Sequence, residues 1–126
     1  MTLMIVDDSN LIRTAVRNAV KHLPLEVVAV AADGEAALEL FDATSPDMVT
    51  LDITMPKMDG LECLARIMQK KPETIVVVIT ALKDEATGLR AIRLGARGIV
   101  PKPFTANRLA SELQDILAEI GAGGGK

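Results

Sequence analysis

Aromatic residues are almost missing from this chain of 126 residues: there is no Trp and no Tyr, and Phe41 and Phe104 are the only rings of that kind. Platforms that stack bases need such rings, so this chain has little with which to build one. Excess positive charge is missing too. Lys and Arg total 14 against 17 Asp and Glu, a formal net charge of −3, so no surplus is left to neutralise a phosphate backbone. No nucleic-acid partner is expected. With one cysteine, Cys63, and one histidine, His22, an intramolecular disulfide is impossible and a Cys/His zinc site cannot be assembled. Cys63 reads as a small buried apolar residue. His22 reads as a cation suited to the end of the first helix. No apolar run approaches the roughly 20 residues that span a bilayer. Asp7 and Asp8 interrupt the N-terminal apolar residues too early for a signal peptide. The expectation is a cytoplasmic monomer that makes no membrane contact.

Apolar residues, in contrast, are plentiful at 49%, which suits a sheet covered by helices on both faces. Short runs rich in Val and Ile occur at Leu3 to Asp7, Leu25 to Ala31, Met48 to Asp52, Ile75 to Thr80 and Gly98 to Pro101. Segments of helical period separate them. Leu11, Ile12, Ala15, Val16, Ala19 and Val20 form the first stripe, with Ser9 placed as N-cap. Gly34 to Phe41 is a short Ala- and Leu-rich helix, and Leu61, Leu64, Ala65, Ile67 and Met68 form a third stripe. Asp84 to Leu94 is the weakest, because Gly88 lies inside it at a cost of roughly 1 kcal/mol relative to Ala; Gly95 is placed as its stop. Thr105 is placed as the cap of the last helix, whose stripe is Leu109, Leu113, Ile116, Leu117 and Ile120. The fold class is therefore α/β, a doubly wound sheet of five parallel strands with five helices. Residues 1–120 form one domain, and the Gly-rich residues 121–126 read as a flexible tail.

In such a sheet the carboxyl ends of all strands share one edge, where ligands bind. Asp7 and Asp8, Asp52, Thr80 and Lys102 each follow a strand, so they converge on that edge. Carboxylates about 4 Å apart repel by about 4 kcal/mol at an effective dielectric near 20. Either one takes up a proton or a cation sits among them. Oxygen ligands of this kind suit Mg²⁺, or Mn²⁺ in its place. Lys102 and Thr80 add an ammonium and a hydroxyl. A carboxylate, a lysine, a hydroxyl and a divalent ion meet the needs of phosphoryl transfer to a carboxylate nucleophile.

Four stretches carry a resemblance: Ile5-Val6-Asp7-Asp8-Ser9, Leu51 to Gly60 (Leu51-Asp52-Ile53-Thr54-Met55-Pro56-Lys57-Met58-Asp59-Gly60), Ile79-Thr80-Ala81 and Lys102-Pro103-Phe104. In this order and spacing the chain, apart from its glycine tail, resembles the CheY-like receiver domains of response regulators in two-component signalling. The resemblance implies a flavodoxin-like sheet of strand order 2-1-3-4-5 and Asp52 as the phosphorylation site. It implies Mg²⁺ held by Asp8, Asp52 and the Thr54 backbone carbonyl, with Asp7 helping through water. Thr80, the Ala81 N–H and Lys102 would hold the phosphoryl group, and Lys102-Pro103 would be a cis bond. Partners would be a sensor histidine kinase or phosphotransfer protein, and a target protein on the face of the fourth helix, fifth strand and fifth helix, where Arg90, Arg93, Arg97 and Arg108 add positive charge. The implied function is a phosphorelay switch, chemotaxis being one setting, with no enzymatic activity beyond its own phosphorylation and dephosphorylation.

Two residues depart from the family pattern. Ile99 stands where a Tyr or Phe is usual, so no ring can swing on activation. Pro101 removes a ladder donor, which an edge strand tolerates. Thr54 and Leu82 occupy positions that tune the lifetime of the acyl phosphate in this family. Arg13 and Arg17 read as a solvated helix face, Asp59-Gly60 as a helix start, and Met55 and Met58 as loop packing. Four other readings remain. The chain could be the receiver of a larger regulator, or a receiver-like module that takes no phosphate. It could be a small Mg²⁺-dependent phosphatase of the haloacid-dehalogenase type, though Thr54 stands where those enzymes need an acid. It could be a flavin carrier, though no ring is available to stack the flavin.

Overall fold

A computed structural model describes residues 1–54, 59–81 and 85–124, with side chains as far as residue 121. Strands and helices alternate: β1 (Thr2–Val6), α1 (Asn10–Val20), β2 (Glu26–Ala31), α2 (Gly34–Thr44), β3 (Met48–Asp52), α3 (Gly60–Lys70), β4 (Ile75–Ala81), α4 (Glu85–Arg93), β5 (Gly98–Lys102) and α5 (Ala106–Gly124). The five strands form one parallel sheet of order β2-β1-β3-β4-β5.

The apolar residues split by strand alternation into two cores. Met4, Val6, Val49, Leu51, Val76 and Val78 face α2, α3 and α4, meeting Phe41, Leu64 and Ile67. Leu3, Ile5, Met48, Val77, Ile79 and Val100 face α1 and α5, meeting Val16, Leu109 and Leu113. Coverage on both faces is why β3 is buried at every position and carries almost no polar residue before Asp52. Thr50 is the exception, fully buried with a hydroxyl that has no hydrogen-bond partner among the described residues.

Local signals act as expected at several ends. Ser9 caps α1, its hydroxyl accepting from Ile12 N at 3.3 Å. Thr105 caps α5, accepting from Arg108 N at 3.0 Å. Gly95 ends α4 with φ of +113°, a conformation that costs glycine nothing. Pro101 lies on the edge strand β5 opposite Thr80, and Lys102-Pro103 is cis. Gly88 packs α4 closely over β5: a Cβ there would come 3.1 Å from Ile99 Cδ1, which would have to give way by a few tenths of an ångström.

Several boundaries differ. α2 continues past Phe41 to Thr44 and stops at Ser45, which takes the left-handed conformation with φ of 44° and donates its N–H to Phe41 O. β4 and β5 each run one residue further, because Ala81 and Lys102 pair with each other. The glycine-rich end is helical as far as Gly124, although each glycine there costs roughly 1 kcal/mol relative to Ala. Met55, Met58 and Leu82 lie outside the described residues.

Candidate functional site

The carboxyl edge of the sheet gathers three acids. Asp7 directly follows β1, Asp8 starts the turn into α1, and Asp52 ends β3. One oxygen from each lies within 4.8 Å of the others. Asp7 and Asp52 are buried at 0% and 1% exposure, whereas Asp8 is exposed. The cluster is thus closed from below and open to solvent at Asp8.

Asp7 is held at three of its four polar groups. Its N–H donates to Ala31 O at 3.1 Å. Its Oδ1 accepts from Ser9 N at 2.9 Å, and its carbonyl accepts from Arg13 Nη1 at 2.7 Å. Among the described residues, Oδ2 has no hydrogen-bond partner. It faces Lys102 Nζ at 3.4 Å as a charge contact. Burial raises the Asp7 carboxyl above its ordinary value; the hydrogen bond from Ser9 opposes this, and the charge of Asp52 adds to it.

Asp52 is organised from both sides. Oδ1 accepts from Thr54 N at 2.9 Å and from the Thr54 hydroxyl at 2.6 Å. Oδ2 accepts from Lys102 Nζ at 3.1 Å. β5 delivers the lysine, since Lys102 pairs with Ala81 at the end of β4. Burial pulls the Lys102 ammonium down, yet its bond to Asp52 and the charges of Asp52 and Asp7 outweigh burial and hold it above the ordinary lysine value. One ammonium therefore serves two buried carboxylates, and among the described residues no ion pair is made by Asp8.

These residues fit a divalent cation. A buried carboxylate oxygen without a hydrogen bond, inside an all-oxygen cluster of three acids, is the donor set of a hard ion. Such an ion would be held by Asp7, Asp8 and Asp52.

Thr80 makes no hydrogen bond to the cluster among the described residues. It is 4% exposed and its hydroxyl has no hydrogen-bond partner among the described residues. The physical reason is strand alternation: Ile79 faces α1 and α5, so Thr80 turns with Val78 toward α4. There it lines a groove of about 420 Å³ with Ala81, Glu85, Gly88, Leu89, Ile99 and Pro101.

Two interactions escaped the sequence reading. Arg13 reads from the sequence as part of a solvated face, but its guanidinium reaches back to the Asp7 carbonyl. The only available signal is its position four residues after the cap Ser9, one turn into α1, beneath the end of β1. The Thr54 hydroxyl bond to Asp52 follows from its being two residues on, a spacing that lets the side chain fold back. Elsewhere Asp59 caps α3, accepting from Leu61 N at 2.9 Å. Cys63 is fully buried, and burial pushes its thiol up to about 11.

Residues 3–114 match a family model described as the response regulator receiver domain. A chemotaxis protein CheY of Listeria monocytogenes is 45% identical over 114 residues, covering 90% of this chain and 96% of that protein. A protein-glutamate methylesterase/protein-glutamine glutaminase of Thiobacillus denitrificans is 48% identical over 103 residues, which are 79% of this chain and 29% of that protein. Among solved structures, the CheX–CheY–BeF3–Mg²⁺ complex from Borrelia burgdorferi matches with a TM-score of 0.87 and 31% identity, covering 93% of this chain and 89% of that one.

Proposed function

This chain belongs to the response-regulator receiver family, and on that premise we propose that it is a phosphorelay switch whose phospho-acceptor is Asp52. The observation that carries the reading is Lys102 Nζ at 3.1 Å from Asp52 Oδ2 and 3.4 Å from Asp7 Oδ2. A cation at this spot neutralises both the acceptor and the phosphoryl oxygens that would arrive there.

An Asp52 oxygen attacks phosphorus in line. The bond from phosphorus to the donor breaks, the donor keeps that electron pair, and an acyl phosphate forms on Asp52. The donor is a phosphohistidine on a sensor kinase or phosphotransfer protein, or a small phosphodonor. Mg²⁺, or Mn²⁺ in its place, held by Asp7, Asp8, Asp52 and the Thr54 carbonyl, would supply further charge neutralisation. Lys102 pairs with the new phosphoryl group, while Thr80 turns from its groove to bond a phosphoryl oxygen beside the Ala81 N–H. Hydrogen bonds to charged groups contribute roughly 1.5–3 kcal/mol each. Two or three of them reach the roughly 5.5 kcal/mol needed to invert a 1:99 population.

Thr80 lines the groove between β4, β5 and α4, so its movement would be felt on the face of α4, β5 and α5. Leu89 and Ile92 are exposed there at 60% and 42%, and Arg90, Arg93 and Arg108 are exposed nearby. Arg97 is paired with Glu119 at 3.3 Å. This is the face proposed for a downstream target protein. The chain acts in the cytoplasm as a monomer and turns over no substrate beyond its own acyl phosphate. Chemotaxis is one setting, supported by the CheY relatives. A receiver within a larger regulator has the same chemistry, and the match to part of a longer methylesterase supports that second reading.

The test is labelling by acetyl phosphate, followed by intact mass. Wild type gains one phosphoryl group in the presence of Mg²⁺ and none with EDTA. Equal labelling of Asp52→Asn would remove Asp52 from the mechanism.

A further inference from the structure

We infer that Arg13 is a positioning residue for the cation site, acting through the backbone of Asp7. The inference rests on the proposed divalent site and adds a component that touches no carboxylate.

The geometry separates the two cations of the region by what they touch. Lys102 pairs directly with Asp7 and Asp52, so a divalent ion entering between those acids competes with it. Arg13 Nη1 instead donates to the Asp7 carbonyl at 2.7 Å, and Nη2 reaches Asn10 Oδ1 at 3.4 Å. A guanidinium on a carbonyl leaves every carboxylate oxygen available to metal and is not displaced when metal arrives. It also places a fixed positive charge behind three acids.

The position of that carbonyl matters. Asp7 stands just beyond β1, which ends at Val6. With its N–H on Ala31 and its carboxylate on Ser9 N, the carbonyl bond to Arg13 fixes the peptide that joins Asp7 to Asp8. Mutual repulsion drives these acids apart when no cation is present. Arg13, half-buried on α1, resists that movement and keeps Asp8 aimed at Asp52. Residues that orient metal ligands in this way change metal affinity by about 10- to 100-fold when altered.

The test uses the full chain and Mg²⁺ alone, read by calorimetry or NMR, with Arg17→Met as the control. Arg17 is exposed on the same helix, so its loss removes the same charge without the carbonyl bond. Arg13→Met is expected to weaken Mg²⁺ binding by about 10-fold, with Arg17→Met within about twofold of wild type. Arg13→Lys, which keeps a charged donor, is expected to recover most of the affinity. In acetyl phosphate labelling, Arg13→Met raises the Mg²⁺ concentration for half-maximal rate and leaves the rate at saturating Mg²⁺ near that of wild type. If Arg13→Met does not fold, Arg13→Gln, neutral and shorter, replaces it with the same expectation. Wild-type Mg²⁺ affinity in the folded neutral variant overturns the role of Arg13 and leaves the cation site standing. Absence of Mg²⁺ binding in wild type overturns both.

Discussion

Lys102 Nζ lies 3.1 Å from Asp52 Oδ2 although fifty residues of chain separate them. The ammonium therefore occupies the same carboxylate that a divalent ion needs. Removing it makes the cluster more negative and removes a competitor. A unit charge about 4 Å away is worth about 1 kcal/mol even in water, or roughly fivefold in affinity. Lys102→Met is expected to bind Mg²⁺ about fivefold more tightly than wild type while being labelled more slowly by acetyl phosphate. Calorimetry and labelling rates check the two halves separately, and weaker Mg²⁺ binding contradicts the competition.

Gly60 begins α3 against the residue that follows Asp52. A Cβ at Gly60 would collide with Ile53 Cα and lie 2.8 Å from Ile53 C, which are backbone atoms unable to give way. Gly121 has nothing within 4 Å of the same added atom. Gly60→Ala is expected to lose about 3 kcal/mol of unfolding free energy, at the upper end of overpacking costs. Gly121→Ala is expected to be neutral or to gain up to about 1 kcal/mol. Urea unfolding of the two variants compares them directly.

Thr50 is fully buried in the middle of β3, and its hydroxyl has no hydrogen-bond partner among the described residues. Replacing an unsatisfied buried hydroxyl by a methyl group of the same shape removes a desolvation cost of about 1–3 kcal/mol. Thr50→Val is expected to raise the denaturation midpoint. A lowered midpoint would mean that the hydroxyl has a partner in solution.

Asp47 fixes the opposite edge of the sheet. Its carboxylate accepts from Thr2 N at 2.9 Å and from the Thr2 hydroxyl at 3.2 Å. The Thr2 backbone bond holds the carboxyl below its ordinary value of 3.8; burial opposes this, and the Thr2 hydroxyl and Lys71 assist. A depressed carboxyl stabilises the fold above its unfolded value and loses that contribution as acid takes the pH down through the folded one. Asp47→Asn is expected to be less stable than wild type at neutral pH, with the gap narrowing as pH falls below about 4. The side chain is 45% exposed, so solvent keeps the effect modest. Unfolding curves in denaturant at both pH values measure the gap, and a gap that widens in acid contradicts the assignment.

Much of this molecule is legible in its sequence. The strands were readable because Val and Ile runs must be buried on both faces. Pro101 marked an edge, and Gly95, Ser9 and Thr105 marked helix ends through chemistry local to each residue. The acids and Lys102 converged because parallel strands share a carboxyl edge. Long-range reach was not legible: a flexible arginine such as Arg13 carries no periodic signal for the carbonyl it finds. The groove that Thr80 lines with Ile99 and Pro101 was not legible either, because it depends on how α4 packs over the strand ends. Gly88 is a weak helix former in α4, and its close approach to Ile99 is a contact between elements that no helical pattern encodes.

Borohydride trapping tests the central assignment most directly, because reduction of an acyl phosphate marks the acceptor side chain permanently. After acetyl phosphate and Mg²⁺, peptide mapping is expected to find the reduced residue at Asp52 and at no other acid. A mark on Asp7 or Asp8, or none on any acid of a folded, Mg²⁺-loaded protein, would contradict the account.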